Sequence, residues 1–319
     1  MVLIKLSQDF VTQKYNLHIY NDTIKIIAIP TRKGSCFMRK RNNFISVFTM
    51  FLAIGFVIIF SRPVKAAADV VLLKANRTYT AYDVTGDGTK DKIRIRAANQ
   101  TDDETYTSLT VSVNGKTAYR LKNTRFYNVI ANIYTLKNGQ PFLYLYAPAE
   151  NGDGPVCALL KYTNGKFRKA LDFTEIMAGY GNHRIGEVTN LNGNKIVITE
   201  SIVSYSLGIN AINFTYEYVN GKFVPTSRYG SYKEIYSADG SSRHFTVNSD
   251  LPAYARPGAT AVNTTLKTGS LTKIIKCALI NEKMYIQLEC DGEIYWIKAL
   301  ENPPIADNER QFMEVRYAG

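Results

Sequence analysis

Alternation of apolar and polar positions dominates the chain from about residue 69 onward. Runs of β-branched, aromatic and aliphatic residues alternate with polar ones, which predicts strands that bury one face. The clearest runs are 92–96, 108–113, 142–146 and 195–199. Asn-Gly dipeptides, a strong short-range signal of β-hairpins, lie between several such runs. The pattern therefore predicts an all-β fold.

The Asn-Gly turns also point to an internal repeat. YTNGKF at 162–167 matches YVNGKF at 218–223, and VNGK at 113–116 is a weaker first copy. A unit of about 50 residues with two hairpins has the size of a propeller blade, but a closed propeller needs at least four blades. We therefore expect repeated β-hairpin sheets over 69–235, either as a partial propeller or as stacked sheets. The alternative is that Asn-Gly-Lys turns simply recur in a β-rich protein.

A second domain is predicted over 240–319. The polar, Gly- and Ser-rich stretch 236–243 is typical of a boundary. Beyond it the pattern predicts a small β-barrel of five short strands, at 245–247, 261–266, 272–279, 284–289 and 294–297.

The N-terminal region carries an export signal. Three basic residues at 39–41 precede an apolar run at 44–60 and the small-residue stretch SRPVKAAA at 61–68. This order is typical of a secretory signal peptide, here 38–66, with cleavage after Ala66 or Ala68. Residues 1–37 are then an upstream extension before Met38. We expect a secreted or cell-surface protein that meets the membrane only during export, with an uncleaved anchor as the alternative.

The net charge of the chain is much smaller once the N-terminal segment 1–66 is left out. The 319 residues have a net charge of +12, with 45% hydrophobic and 21% charged residues. Residues 1–66 hold ten bases and two acids, so the remainder has 29 bases, 25 acids and a net charge of +4. No run of five like charges is left in it, so nucleic-acid binding loses its main support.

Cysteine and histidine usage gives little catalytic signal. The expected mature chain has three cysteines, which excludes a disulfide-rich scaffold and leaves a Cys277–Cys290 disulfide open. Cys157 lies in the apolar run VCALL, which predicts a buried thiol rather than a nucleophile. The sequence has no G-x-S-x-G, H-E-x-x-H or P-loop motif, so we predict no catalytic residue.

The sharpest chemical motif is the loop DVTGDGTKD at 83–91. Asp83, Asp87 and Asp91 stand at alternate positions with the Thr85 hydroxyl, and a Gly allows a tight turn; such oxygen ligands suit Ca²⁺. The loop runs into a strand and lacks a Glu at its twelfth position, so it is not an EF-hand. It resembles the calcium loop of FG-GAP/integrin-like (VCBS-type) repeats. That resemblance implies a structural Ca²⁺ held by the three aspartates, Thr85 and the Thr89 carbonyl, the alternative being a polar turn without metal.

The C-terminal region resembles a bacterial SH3-like domain. The similarity rests on LPAYARPG at 251–258, TLKTG at 265–269 and DGEIYWIK at 291–298. Tyr295 stands where that family has a Gly before the Trp.

Such domains commonly bind cell-wall material, so the resemblance implies a ligand surface that includes Tyr254, Tyr295 and Trp296. Trp296 would serve equally as a core residue. The sequence thus predicts a non-catalytic binding or adhesion protein of a Gram-positive-type cell surface, with a cell-wall or other extracellular glycan or protein ligand. The alternative is a secreted hydrolase acting on wall or polysaccharide.

Overall fold

The computed structural model describes residues 15–20, 23–28, 71–101, 103–150, 153–237 and 243–317. The predicted signal segment 38–66 lies outside these ranges. The chain divides into two compact units, Met1–Lys65 and Ala66–Gly319. In the first unit, strand β1 (Tyr15–Tyr20) pairs antiparallel with β2 (Thr23–Ala28).

The second unit consists of antiparallel strands joined mostly by short turns, which confirms the all-β prediction. Its strands in chain order are β3 (Val71–Leu73), β4 (Arg77–Tyr82), β5 (Asp91–Ala98), β6 (Tyr106–Val113), β7 (Lys116–Phe126), β8 (Ile130–Thr135), β9 (Pro141–Ala147), β10 (Val156–Thr163), β11 (Lys166–Asp172), β12 (Gly181–Asn192), β13 (Lys195–Ser204), β14 (Gly208–Val219), β15 (Lys222–Pro225), β16 (Tyr229–Ile235), β17 (His244–Thr246), β18 (Leu251–Ala253), β19 (Thr264–Leu266), β20 (Leu271–Ile280), β21 (Lys283–Cys290) and β22 (Glu293–Lys298). Two short 3-10 helices lie at Phe173–Glu175 and Asp307–Glu309. Within the described ranges, no helix has the length and apolar character that a membrane crossing requires.

Three larger sheets organise these strands. The first has the order β4-β5-β6-β7, and the second has the order β11-β10-β9-β8-β3. The third runs β12-β13-β14-β16-β20-β21-β22, with β15 added on β14 and β17 on β20. Strands β18 and β19 form a small separate pair.

Strand β9 shows how the sheets stack, because every one of its residues is buried. Leu143, Leu145 and their neighbours pack with residues of the four-stranded sheet in one core cluster. Phe142, Tyr144 and their neighbours pack with residues of the nine-stranded sheet in another. Since successive side chains of a strand point to opposite faces, the five-stranded sheet is the middle layer of three.

The predicted Asn-Gly hairpins are observed where the sequence places them. In the turn between β10 and β11, Asn164 and Gly165 have φ of 51° and 78°. Both values lie in the left-handed region, which a two-residue turn of the favoured hairpin type requires. The turns β6–β7 and β14–β15 have the same conformation.

The C-terminal strands correspond to the predicted ones, but β17, β20, β21 and β22 belong to the nine-stranded sheet, and only β19 lies outside it, paired with β18. Strand β16, which precedes residue 236, pairs with β20, which follows residue 243. One continuous sheet therefore crosses the sequence-predicted domain boundary, and residues 69–235 and 240–319 lie in the same compact unit.

Candidate functional site

The aspartate loop connects β4 to β5 at one end of the four-stranded sheet. Asp83 accepts hydrogen bonds from the backbone amides of Gly86 (2.6 Å), Asp87 (3.2 Å) and Gly88 (2.7 Å). Gly86 and Gly88 have φ of 77° and 86°, a conformation that glycine adopts without strain. Partial desolvation acts to raise the pKa of Asp83, but these hydrogen bonds outweigh it and lower the pKa below its usual value.

Asp91 ties the other end of the loop to the sheet. Its side chain is buried and accepts hydrogen bonds from the amides of Val84 (2.8 Å) and Thr85 (2.9 Å). Its second oxygen accepts from the Asn114 amide side chain at 2.6 Å, and Asn114 in turn accepts from the Lys92 backbone amide. The loop is therefore anchored on the β6–β7 turn.

The fit of this loop to a calcium ion depends on which groups its oxygens face. Asp87 accepts from the Thr89 amide at 2.8 Å, so all three carboxylates already receive N–H donors. No three His, Cys, Asp or Glu side chains of the described residues come together as a metal-binding group. The oxygen chemistry suits Ca²⁺, whereas the hydrogen bonds close the loop by themselves. Calcium thus stays a prediction.

The aromatic residues assigned to ligand binding lie mostly inside the protein. Trp296 and Tyr254 are 4% and 6% exposed, and their backbones exchange two hydrogen bonds. They pack with Ala278 and Tyr285 in a small cluster on the outer side of the β20–β22 region. Tyr295 packs against the main core instead. The three residues therefore do not present one common aromatic surface.

Tyr229 lies beside this cluster and is an exposed aromatic side chain. It is 42% exposed, and its ring centroid lies 5.9 Å from that of Trp296. The Lys276 ammonium lies 4.5 Å from the Tyr229 centroid and 5.9 Å from the Trp296 centroid. These distances allow cation–π attraction to both rings.

A concave site is found elsewhere, where the C-terminal segment crosses the β12–β13 end of the large sheet. The pocket has a volume of about 240 Å³, and it is lined by Asn182, Val203, Tyr205, Pro303, Pro304, Arg310 and Tyr317. We call it the tail pocket. Sequence reasoning missed it because its residues come from three segments that share no motif: β12, the end of β13 and the C-terminal stretch 303–317.

Hydrogen bonds hold the walls of the tail pocket in place. The Tyr205 hydroxyl donates to the Asn182 side-chain oxygen (3.2 Å), and the Tyr317 hydroxyl donates to the Tyr205 carbonyl (2.8 Å). The Arg310 guanidinium lies 5.6 Å from the Tyr317 ring centroid and 3.1 Å from an Asp307 carboxylate oxygen. Burial raises the pKa of Tyr317, so its phenol is a neutral donor at physiological pH.

A polar group of a different kind is buried between the middle sheet and the large sheet. Glu200 is fully buried, and neither carboxyl oxygen has a hydrogen-bond partner among the described residues. Burial raises its pKa well above the usual value, although the positive charge of Arg184 acts to lower it. Nearby, the Cys157 thiol donates to the Gly186 carbonyl at 3.3 Å, and burial raises the pKa of this thiol to about 12.

The described cysteines Cys157, Cys277 and Cys290 are all free thiols and all buried. Cys277 pairs with Ile286, and Cys290 pairs with Thr272, so the two cysteines do not face each other across the β20–β21 hairpin. The disulfide that the sequence left open is therefore not formed.

Comparison of the chain with models of known families, with curated proteins and with solved structures finds no match in any of the three. Both resemblances noted from the sequence thus depend on the chain's own motifs.

Proposed function

We propose that this protein is a secreted or cell-surface binding protein without catalytic activity, and that its tail pocket recognises cell-wall glycan. The observation that supports this proposal is the composition of the pocket wall, which combines two tyrosines, two prolines and a valine with an arginine and an asparagine side chain.

This set of side chains matches the chemistry of a sugar ring that bears an acidic group. Tyrosine rings offer flat apolar faces. Their hydroxyl protons are already donated within the pocket wall, and their oxygens can accept hydrogen bonds from sugar hydroxyls. The Arg310 guanidinium has one nitrogen paired with Asp307 and keeps further N–H donors for a ligand carboxylate. The Asn182 side-chain NH2 group offers another donor. Peptidoglycan presents both sugar rings and carboxylates, so it is the wall component that we expect the pocket to bind.

The test is co-sedimentation of the purified chain with insoluble peptidoglycan. We expect retention, and we expect Arg310→Gln to weaken it by about tenfold, because a charged hydrogen bond contributes about 1.5–3 kcal/mol. Arg256→Gln, an exposed arginine outside the pocket, is the matched control and should bind like the wild type. Equal retention of the wild type and Arg310→Gln would contradict the pocket as the site.

The same experiment separates binding from the hydrolase alternative. The supernatant is assayed for released reducing sugar and peptide. Release without stable retention of the protein would overturn the binding proposal and favour an enzyme.

Export through residues 38–66 and a structural Ca²⁺ in the aspartate loop belong to the same proposal. Both are supported by the sequence motifs: a basic, apolar and small-residue order in the first case, and alternating oxygen ligands in the second.

A further inference from the structure

The outer face of the four-stranded sheet concentrates positive charge. Strand β5 alternates strictly between buried and exposed positions, and its buried residues pack in the core shared with the middle sheet. Its exposed residues are therefore Lys92, Arg94 and Arg96. One strand thus places three cations on one side, with successive side chains about 7 Å apart.

Strand register extends this charge across the sheet. Arg96 pairs with Thr110 on β6, which pairs with Arg120 on β7. Directly paired residues lie on the same face, so Arg96 and Arg120 flank a threonine at a separation of about 10 Å. Lys122, paired with Ser108, adds a further cation. We call Lys92, Arg94, Arg96, Arg120 and Lys122 the arginine face.

Carboxylates do not balance this charge. The residues that pair with Arg94, Arg96, Arg120 and Lys122 all carry hydroxyls: Thr78, Ser108, Thr110 and Ser112. Thr117, which pairs with Ser112, carries one as well. None of the five cations forms an ion pair with another described residue. An ion pair in the same part of the molecule joins Arg125 of β7 to Asp103. Like charges held this close repel one another, and a bound anion would relieve that repulsion.

The positive surface continues past the edge of the sheet into a shallow cleft between β7 and β11. This cleft has a volume of about 290 Å³, and its lining includes Arg120, Lys166 and Arg168. Lys166 donates to the Thr117 carbonyl at 2.9 Å, so it is fixed against β7. The charged surface is therefore elongated and suits an extended chain better than a small ion.

The side chains of this surface indicate which class of polyanion it would bind. Arginine binds phosphate through two parallel N–H donors, and serine and threonine hydroxyls bond to phosphate oxygens or to polyol hydroxyls. Proteins that hold single-stranded nucleic acid add aromatic rings on which bases stack. The outward positions that pair across β4–β7 carry no aromatic residue. The cleft lining has two, but Phe167 is buried and Tyr119 packs against the core. This arrangement favours a phosphate polymer without bases.

We propose that the arginine face is a binding site for a linear polymer of polyol phosphate, separate from the tail pocket and independent of its function. Such a chain places phosphodiester groups at Arg94 and Arg96 along β5 and then at Arg120 across the sheet, with the cleft at Lys166 receiving its continuation.

The test is titration of the purified full chain with synthetic poly(glycerol phosphate), followed by calorimetry at two salt concentrations. We expect binding that weakens as salt rises, because the contacts are electrostatic. The triple variant Arg94→Gln, Arg96→Gln, Arg120→Gln should lose at least tenfold in affinity and most of the salt dependence.

The matched control removes the same charge from exposed lysines elsewhere: Lys222→Gln, Lys233→Gln, Lys273→Gln. It should bind the polymer like the wild type. If it lost as much affinity as the arginine variant, binding would depend on net charge alone, and the proposed site would be overturned. Tighter binding of single-stranded DNA than of poly(glycerol phosphate) would overturn the choice of polymer. Arg310→Gln should leave polymer binding unchanged, so failure of the tail-pocket proposal and failure of this one are distinguishable.

Discussion

Two buried carboxylates of this protein have opposite surroundings. Asp91 is 1% exposed and accepts hydrogen bonds from two backbone amides and the Asn114 side chain. Glu200 is 0% exposed, and its two oxygens have no partner among the described residues. Asp91 lies at the start of β5, where a turn directs N–H groups toward it. Glu200 lies in the middle of β13, where the backbone N–H groups are already used in the sheet ladder.

The difference shows that burial alone does not set the role of a carboxylate. A buried acid that receives several N–H donors organises the backbone around it, because each donor would otherwise be unsatisfied. A buried acid without donors has its lowest free energy in the neutral form, so the stability of the folded protein depends on pH. The first carboxylate should therefore stabilise the fold, and the second should make stability depend on protons.

The largest effect is expected for Asp91→Ala. The substitution leaves two loop amides and the Asn114 side chain without their acceptor, and we expect a loss of about 2–5 kcal/mol in the free energy of unfolding. Urea unfolding followed by circular dichroism, in EDTA so that metal plays no part, measures it. Glu293→Ala, an exposed acid on β22 far from the loop in sequence, should change stability by less than about 0.5 kcal/mol. A loss below about 1 kcal/mol for Asp91→Ala would show that the loop does not depend on this anchor.

Glu200→Gln should change the pH dependence of stability. Because burial raises the pKa of Glu200 in the folded protein, its stability contribution is complete below the unfolded pKa of about 4.3 and is lost as pH rises toward the folded pKa. The decline is at most about 1.4 kcal/mol per pH unit for one proton.

We therefore expect Glu200→Gln to unfold like the wild type near pH 4 and to be more stable than the wild type at pH 8. Urea unfolding at pH 4, 6 and 8 tests this expectation. Glu187→Gln, an exposed acid on the neighbouring strand β12, serves as the control and should follow the wild type. Parallel stability curves for wild type and Glu200→Gln would mean that Glu200 does not take up a proton on folding.

The smallest effect is expected from calcium, because hydrogen bonds already close the aspartate loop. If Ca²⁺ binds there, EDTA should lower the melting temperature by a few degrees, on the order of 1 kcal/mol, and Asp87→Ala should abolish that shift. Asp103→Ala, an acid in another turn of the same sheet, should keep it. An unchanged melting temperature of the wild type in EDTA would remove the metal site.

Local features of this protein were predictable because their causes are local. The Asn-Gly hairpins follow from residues that tolerate positive φ, and the strands follow from alternation that the backbone period of two requires. The aspartate loop was predictable as a tight turn for the same reason. The hydrogen bond from Asn114 to Asp91 was not predictable, because Asn114 lies 23 residues away in the β6–β7 turn.

Non-local features needed the tertiary structure. The apolar run of β9 indicated a strand, but the stacking of the three layers decided that its aromatic face meets the large sheet and its aliphatic face meets the four-stranded one. The sequence around Glu200 does not distinguish it from an exposed acid. Its burial follows from its position between two sheets. The tail pocket likewise exists only where the C-terminal segment crosses β12 and β13.

By itself, then, the sequence determined an all-β chain, the positions of its hairpins and the tight turn of its aspartate loop, since φ/ψ preferences and alternation act between near neighbours. The tertiary structure decided the joining of β16 to β20, the burial of Trp296 and the alignment of Arg96 with Arg120 across β6. Each of these depends on the register between strands and on sheet stacking, which are set by burial of the whole core rather than by any short segment.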